Sequence, residues 1–152
     1  MIRLNLGAGR HPLPDFINLD GANGDCIYPL DIKQADEIRA SHVLEHFSID
    51  ESIDVLANWI GTLVPGGLLR VAVPDFTELC RLHFKGNEQF DIEAVIMGGQ
   101  VDERDYHKSL WTNAKLRHIM EQFGLTDIKT WQSEIQDCAS LPFSLNLMGR
   151  KK

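Results

Sequence analysis

The first twenty residues, MIRLNLGAGRHPLPDFINLD, constrain the fold of this chain more than any other stretch. An apolar run from Ile2 to Leu6 meets a Gly-Ala-Gly turn, and a second apolar run then ends on a single acid, Asp20. This order predicts a strand, a tight loop and a second strand that carries a carboxylate at its tip.

The connection between these two strands is unusually short. Only six residues separate Gly9 from Phe16, fewer than the dozen or so that a parallel crossover with a full helix needs. Pro12 and Pro14 also oppose a regular helix in the middle of this segment. We therefore expect the first helix of the fold to be lost or reduced to a turn.

Strand and helix signals alternate along the rest of the chain. Ser48 and Glu51 form an S-x-x-E capping box, and Pro65-Gly66-Gly67 is expected to stop the helix that follows it. Further helices are predicted over Phe76–Lys85 and Asn113–Phe123. The predicted strands are Arg3–Leu6, Phe16–Leu19, Cys26–Tyr28, Glu37–Ala40, Leu68–Val73, Thr126–Trp131 and Phe143–Met148. This alternation indicates a largely parallel sheet with helices on both faces and an antiparallel hairpin at the end.

Composition restricts the partners. The 152 residues fit one domain, and a formal net charge of −7 with scattered Lys and Arg disfavours a nucleic-acid surface. No apolar run approaches the roughly 18 residues of a membrane span, so we expect no membrane partner. Three widely spaced cysteines and no signal-peptide pattern predict a cytoplasmic protein with reduced thiols. The oligomeric state is left open.

The Gly-Ala-Gly turn and Asp20 together indicate a ligand that contains a nucleoside. Glycines let the backbone approach a ligand closely, and an acid at the end of the second strand can accept hydrogen bonds from the two hydroxyls of a ribose. The simpler alternatives are a plain strand-ending turn for the glycines and a solvated acid for Asp20.

Four segments in order resemble the class I S-adenosylmethionine-dependent methyltransferases, and in particular short proteins of the methyltransferase type 11 kind. They are LNLGAG at 4–9, INLD at 17–20, ASHVLEHF at 40–47 and LVPGGLLRVAVPDF at 63–76. A further stretch, GGQVDERDYHKS at 98–109, is similar to a segment of some short members. The resemblance implies an α/β, Rossmann-like three-layer sandwich. Its sheet would have six or seven mostly parallel strands, with an antiparallel C-terminal strand and a reduced first helix.

The resemblance also implies S-adenosyl-L-methionine as cofactor and a set of residues that bind it. Asn5 stands where the family often has an acid, and His11 stands where a third glycine is common. The implied cofactor-binding residues are Asn5, Gly7, Ala8, Gly9, Asp20, Leu30, Asp31, Ser41 and His42. For an acceptor that must lose a proton, the candidate catalytic residues are His42, His107 and Asp75.

Two local patterns have competing interpretations. His42 and His46 are four residues apart with Glu45 between them, a spacing that can bind a metal, but further ligands are not evident in the sequence and we expect none. The segment 98–109 is charged, as a solvated loop would be. Its position in the long excursion from Lys85 to Thr112 instead favours a partial lid over the acceptor site, and we call residues 98–109 the lid segment.

The predicted function is therefore methyl transfer by in-line displacement to a small-molecule or sugar acceptor. An NAD-binding oxidoreductase is disfavoured because the third fingerprint glycine and the phosphate-binding helix start are both absent. The remaining alternative is a methyltransferase-like module that binds the cofactor, or supports a partner, without catalysis. The short first crossover and Asn5 are the features that favour this alternative.

Overall fold

The computed structural model describes residues 1–86 and 89–152, and its centre is a six-stranded sheet. The strand order is β2-β1-β3-β4-β6-β5, with β1, β2, β3 and β4 parallel and β6 antiparallel to both of its neighbours. The strands are β1 Arg3–Leu6, β2 Ile17–Leu19, β3 Ala35–Ser41, β4 Leu63–Pro74, β5 Leu125–Thr130 and β6 Ser144–Lys151. The predicted parallel sheet with an antiparallel final hairpin is confirmed.

One predicted strand, Cys26–Tyr28, is wrong. After β2 the chain makes a 3-10 turn over Gly21–Asn23 and continues as a loop, so β2 remains the outermost strand. The carbonyl of Ile27 accepts a hydrogen bond from the indole nitrogen of Trp59 at 2.9 Å. This segment is therefore attached to a helix side chain rather than to the backbone of a neighbouring strand.

Four α-helices accompany the sheet: α1 Ile49–Thr62, α2 Phe76–Phe84, α3 Ile92–Met97 and α4 Asn113–Gln122. The capping box is confirmed, because Ser48 Oγ accepts from the Glu51 amide and the Glu51 carboxylate accepts from the Ser48 amide. Helix α3 was not predicted from the sequence; it lies within the excursion expected to be a loop.

Pro65-Gly66-Gly67, which was expected to end α1, lies beyond the observed end of this helix. The helix ends at Thr62, and the chain enters β4 at once through Leu63, so Pro65-Gly66-Gly67 lies inside the strand. The pairing of β4 with β3 changes register across this tripeptide, and Gly66 adopts φ +78°. Pro-Gly-Gly therefore forms an irregularity in the strand, because a left-handed residue and a proline cannot continue a regular ladder.

The short β1–β2 connection contains no helix, as predicted. The side chain of Asn18 holds this connection by four hydrogen bonds. Its amide nitrogen donates to the carbonyls of Leu13 and Phe16, while its oxygen accepts from the Leu13 amide and from the side chain of Asn5. Asn18 thus satisfies several polar groups of the loop at once.

The two faces of the sheet differ in chemistry. One face is apolar and packs with α1 and α4 in the main core, which includes Leu4, Leu6, Ile38, Val71, Leu147, Trp59 and Leu116. On the other face, paired positions on adjacent strands carry Asn5, Arg39 and Arg70. No described helix combines the length and the apolar character needed to cross a bilayer.

A loop that runs from Trp131 to Ala139 covers the polar face. Arg39 is buried and pairs with Asp137, and Arg70 pairs with Glu134 at 2.6 Å. The Trp131 ring lies beneath both guanidinium groups and donates its indole N–H to backbone carbonyls of β4 and β6. At the centre of the sheet, the third layer of the predicted sandwich is therefore built by a loop with buried charges.

Candidate cofactor and active site

A cavity of about 640 Å³ lies where β1, β2 and β3 end. Its walls come from the glycine turn after β1, the Asp20 turn after β2, the segment after β3 that begins at His42, and the lid segment. The carboxyl edge of parallel strands is the usual ligand site in open α/β sheets. The fold therefore brings together residues that are distant in sequence.

Gly7 and Gly9 line this cavity for different reasons. Both adopt left-handed backbone angles, with φ of +66° and +50°. A Cβ on Gly7 would lie 2.3 Å from a methyl of the buried Val43, so Gly7 is required by packing. A Cβ on Gly9 would meet Asp20 Oδ2 only at 3.7 Å, an ordinary contact. Gly9 is thus required by its backbone angle, and it leaves the cavity surface free of a side chain.

Asp20 holds the two loops that bound the cavity. Its Oδ2 accepts from the Gly9 amide at 2.6 Å, and its Oδ1 accepts from the Ala22 amide at 2.8 Å. An ionised carboxylate has about four acceptor sites, so about two remain after these bonds. Asp20 can therefore organise the turn and still accept two hydrogen bonds from a ligand.

His42 lines the cavity directly after β3 and adopts φ +54°, which is rare for a residue with a side chain. Its Nε2 is 2.9 Å from Ser144 Oγ, and its Nδ1 is 3.2 Å from Glu45 Oε1. Glu45 is fully buried. Burial acts to raise the pKa of Glu45, but the contact with His42 and the electrostatic effect of the His42 and His46 rings outweigh it, so this pKa lies below its usual value.

His107 lies next to Glu45 but is not among the residues that line the cavity. Its Nδ1 donates to the carbonyl of Val95 at 2.8 Å, and its Nε2 is 4.0 Å from Glu45 Oε1. Its ring meets that of His46 edge-on, with centroids 4.8 Å apart. Burial lowers the pKa of His107 despite the nearby Glu45 carboxylate, so the ring is neutral near pH 7.

The lid segment spans the cavity between its two walls. Residues 101–105 and Lys108 line it. The amides of Lys108 and Ser109 donate to the carbonyl of Glu45 at 2.7 and 3.2 Å, which anchors one end. At the other end, Arg104 donates to the carbonyl of Gly21 at 3.4 Å. These contacts place the segment over the turn that carries Asp20.

Several sequence candidates lie away from the cavity. Ala8 is buried behind the glycines, and its amide donates to the Leu19 carbonyl. Asn5 lies on the polar face of the sheet, bonded to Asn18 and Arg39. Leu30 is buried in the main core.

The remaining three sequence candidates, Asp31, Ser41 and Asp75, also lie outside the cavity wall. Asp31 is exposed and outside the cavity, and the Ser41 hydroxyl is also not part of its wall. Asp75 caps α2, because its Oδ1 accepts from the amides of Thr77 and Glu78. The structure therefore groups Gly7, Gly9, Asp20 and His42 of the candidate set around one cavity.

Sequence reasoning missed the central position of Glu45. In the sequence Glu45 is only an acid between His42 and His46, because nothing there shows that residue 107 returns to the same place. The one signal in the sequence is that Glu45 stands among apolar residues in VLEHF, while the lid segment contains a histidine that could pair with it.

Neither a protein-family model nor a curated protein matches this sequence. Solved structures do share its architecture. A protein from Thermotoga maritima described as an S-adenosylmethionine-dependent methyltransferase aligns over 99% of this chain and 82% of its own, with a TM-score of 0.66 and 16% identity. Magnesium protoporphyrin IX methyltransferase from Synechocystis PCC 6803, solved with bound SAH, aligns over 100% of this chain and 74% of its own, with a TM-score of 0.62 and 13% identity. The fold is that of the class I methyltransferases.

A third similar structure shows how much shorter this chain is. A Bordetella parapertussis protein described as a possible exported protein aligns over 99% of this chain with a TM-score of 0.61 and 12% identity, but this chain spans only 61% of its length. Within this chain the class I methyltransferase fold has a first crossover that contains no helix.

Proposed function

We propose that this protein is an S-adenosylmethionine-dependent methyltransferase that acts on a small-molecule or sugar acceptor. One observation carries the proposal: the cavity at the carboxyl edge has a surface without side chains at Gly9, directly beside the Asp20 carboxylate. The volume of about 640 Å³ lies within the range of about 300–1,000 Å³ typical of small-molecule sites.

The residues present fit the cofactor. Asp20 keeps about two acceptor sites free, which matches the two vicinal hydroxyls of a ribose. Gly9 allows the backbone to contact the ligand, and a methyl group at that position would occupy the same space. The cofactor lacks phosphate, so the missing helix N-terminus after β1 removes no group that its recognition needs.

When bound, the cofactor supplies a methyl group activated by a sulfonium. The protein then has to align the acceptor and keep water away, and the lid segment covers the cavity for this purpose. His42 is the proposed general base for an acceptor that must lose a proton. It lines the cavity, and its Nε2 donates to Ser144 Oγ, whose hydroxyl donates in turn to Asn146. The proton from the acceptor would therefore go to His42 Nδ1, where the Glu45 carboxylate at 3.2 Å would stabilise the positive charge. His107 lies behind this pair and Asp75 caps a helix, so neither is assigned that role.

Isothermal titration with S-adenosylmethionine and its demethylated product tests the cofactor. We expect saturable binding of one ligand per chain, and Asp20→Asn is expected to raise the dissociation constant at least tenfold, since hydrogen bonds to a charged group are worth about 1.5–3 kcal/mol each. Asp31→Asn is the matched control, because this exposed acid lies outside the cavity. Thermal unfolding of each variant shows whether its fold is intact.

Two outcomes would contradict the assignment: no binding up to millimolar ligand, or an equal loss of affinity in the Asp20 and Asp31 variants. A coupled assay for the demethylated product, run against pooled sugars, amines and phenols, then tests catalysis. Binding without turnover would favour the non-catalytic module.

A further inference from the structure

Three side chains behind the cavity converge on one point that the proposed methyl transfer does not explain. One nitrogen or oxygen atom from each of Glu45, His46 and His107 lies within 4.8 Å of the others. Glu45 and His46 belong to the 3-10 turn after β3, while His107 belongs to the lid segment. The cluster therefore joins two parts of the chain about sixty residues apart.

The Glu45 carboxylate is incompletely paired within the part of the chain that the structure describes. The residue is 0% exposed, and His42 Nδ1 and His107 Nε2 approach its Oε1 at 3.2 and 4.0 Å. Neither carboxylate oxygen accepts a hydrogen bond of full geometry from a described residue. A buried carboxylate is costly unless it is paired or coordinates a metal, so a cation at this place would complete its pairing.

Both histidines present nitrogen to the same place. A carbonyl can only accept, so the bond from His107 Nδ1 to Val95 means that Nδ1 carries the hydrogen and Nε2 keeps a lone pair. A backbone carbonyl on the far nitrogen is the usual support of a metal-binding histidine. His46 Nδ1 is buried and has no hydrogen-bond partner among the described residues.

We propose that Glu45, His46 and His107 bind a divalent first-row transition-metal ion of the Zn²⁺ type. With metal–ligand bonds of about 2.0–2.1 Å, ligand atoms in a tetrahedral site lie about 3.4 Å apart. From a largest separation of 4.8 Å, each atom therefore has to move inward by only ~0.7 Å. Two imidazoles and one carboxylate select this class of ion over Mg²⁺ or Ca²⁺, which prefer oxygen ligands.

The ion ties the lid segment to the core. His107 is the ligand from the lid segment, and the adjacent Lys108 lines the cavity, as does His46. The backbone bonds from Lys108 and Ser109 to the Glu45 carbonyl already bring the two segments together. Metal binding therefore fixes the base of the lid segment while leaving the Asp20 side of the cavity unchanged.

The test uses full-length protein without a histidine tag, stripped with chelator, and no methyl donor. Zn²⁺ is titrated calorimetrically, and Co²⁺ is titrated by visible absorption, whose intensity reports the coordination number and geometry of the bound ion. We expect one ion per chain, a higher melting temperature with metal, and no competition from millimolar Mg²⁺. His107→Ala and Glu45→Gln are expected to weaken binding at least about 100-fold, since losing even an outer partner of a ligand costs about 10–100-fold.

His118→Ala is the matched control, because His118 is exposed on α4 and remote from the cluster in the sheet order. Its Zn²⁺ affinity should equal that of the unsubstituted protein. Should His107→Ala fail to fold, Glu45→Gln, which has the same shape, decides the question. The proposal is overturned if no ion binds stoichiometrically, if Mg²⁺ competes as well as Zn²⁺, or if the folded cluster variants bind like His118→Ala. These readouts do not depend on the methyl donor, so they stand or fall separately from the proposed function.

Discussion

Replacing Gly9 with alanine separates the proposed cofactor contact of the glycine turn from the backbone conformation that Gly9 supplies. Gly9 has φ +50°, and its added Cβ would meet no atom closer than 3.7 Å. The variant is therefore expected to fold. Gly24→Ala is the matched control, because Gly24 has φ +84°, no atom within 4 Å of an added Cβ, and no place in the cavity wall.

The expected magnitudes follow from this geometry. An alanine in the left-handed region costs about 1–2 kcal/mol, so both variants lose similar stability. For a chain of this size, each kcal/mol lowers the melting temperature by about 2–4 °C. In the proposed site the methyl group at Gly9 would also occupy space against which the cofactor is expected to pack, and one methylene in a tight pocket is worth about 1–3 kcal/mol, or 10–200-fold in affinity.

Thermal unfolding and calorimetric titration with the demethylated cofactor check both effects. We expect similar melting temperatures for the two variants and a dissociation constant at least tenfold higher for Gly9→Ala alone. Equal affinities in Gly9→Ala and Gly24→Ala would refute the reasoning, because the bare backbone at Gly9 would then not contact the ligand.

Two further predictions concern stability. Asp137→Ala leaves Arg39 buried without its partner and should cost about 3–5 kcal/mol in urea unfolding, whereas the double variant Arg39→Met with Asp137→Leu should recover most of that loss. Burial acts to raise the pKa of Asp137, but hydrogen bonds from Arg39 and Ser133 leave this pKa below its usual value. The ionised Asp137 carboxylate therefore stabilises the fold fully above about pH 4, and this contribution is lost as the pH falls further. The acid unfolding profile of Asp137→Ala should lack this loss. Ser48→Ala removes half of the capping box and should cost about 1 kcal/mol, measured as a fall in melting temperature, while an unchanged value would show that the box does not stabilise α1.

Short-range sequence patterns predicted most of the strands and helices. Alternating apolar runs located β1, β3, β4 and β6, and the capping box located the start of α1, because these signals depend on neighbours within a few residues. The missing first helix was also predictable, since chain length and two prolines exclude it locally. The strand predicted at Cys26–Tyr28 was wrong, because only the position of Trp59 decides that this segment bonds to α1.

Within the site, the sequence alone determined the glycine turn and the acid after β2, because both depend on a short stretch of backbone. Asn5 and Leu30 entered the candidate set because the resemblance implies them, but Asn5 lies on the polar face of the sheet and Leu30 lies in the core. The sequence could not decide these positions, because they depend on how Arg39 of β3 and the loop after β2 pack in the assembled sheet.

The tertiary structure alone decided the surroundings of Glu45. His107 is sixty-two residues further along the chain, and only the path of the lid segment returns it to within 4.0 Å of that carboxylate. The same holds for the third layer, where Arg39 and Asp137 meet across 98 residues. The physical reason is common to both: local propensity shapes elements, whereas burial of charge depends on contacts that exist only after the chain has packed.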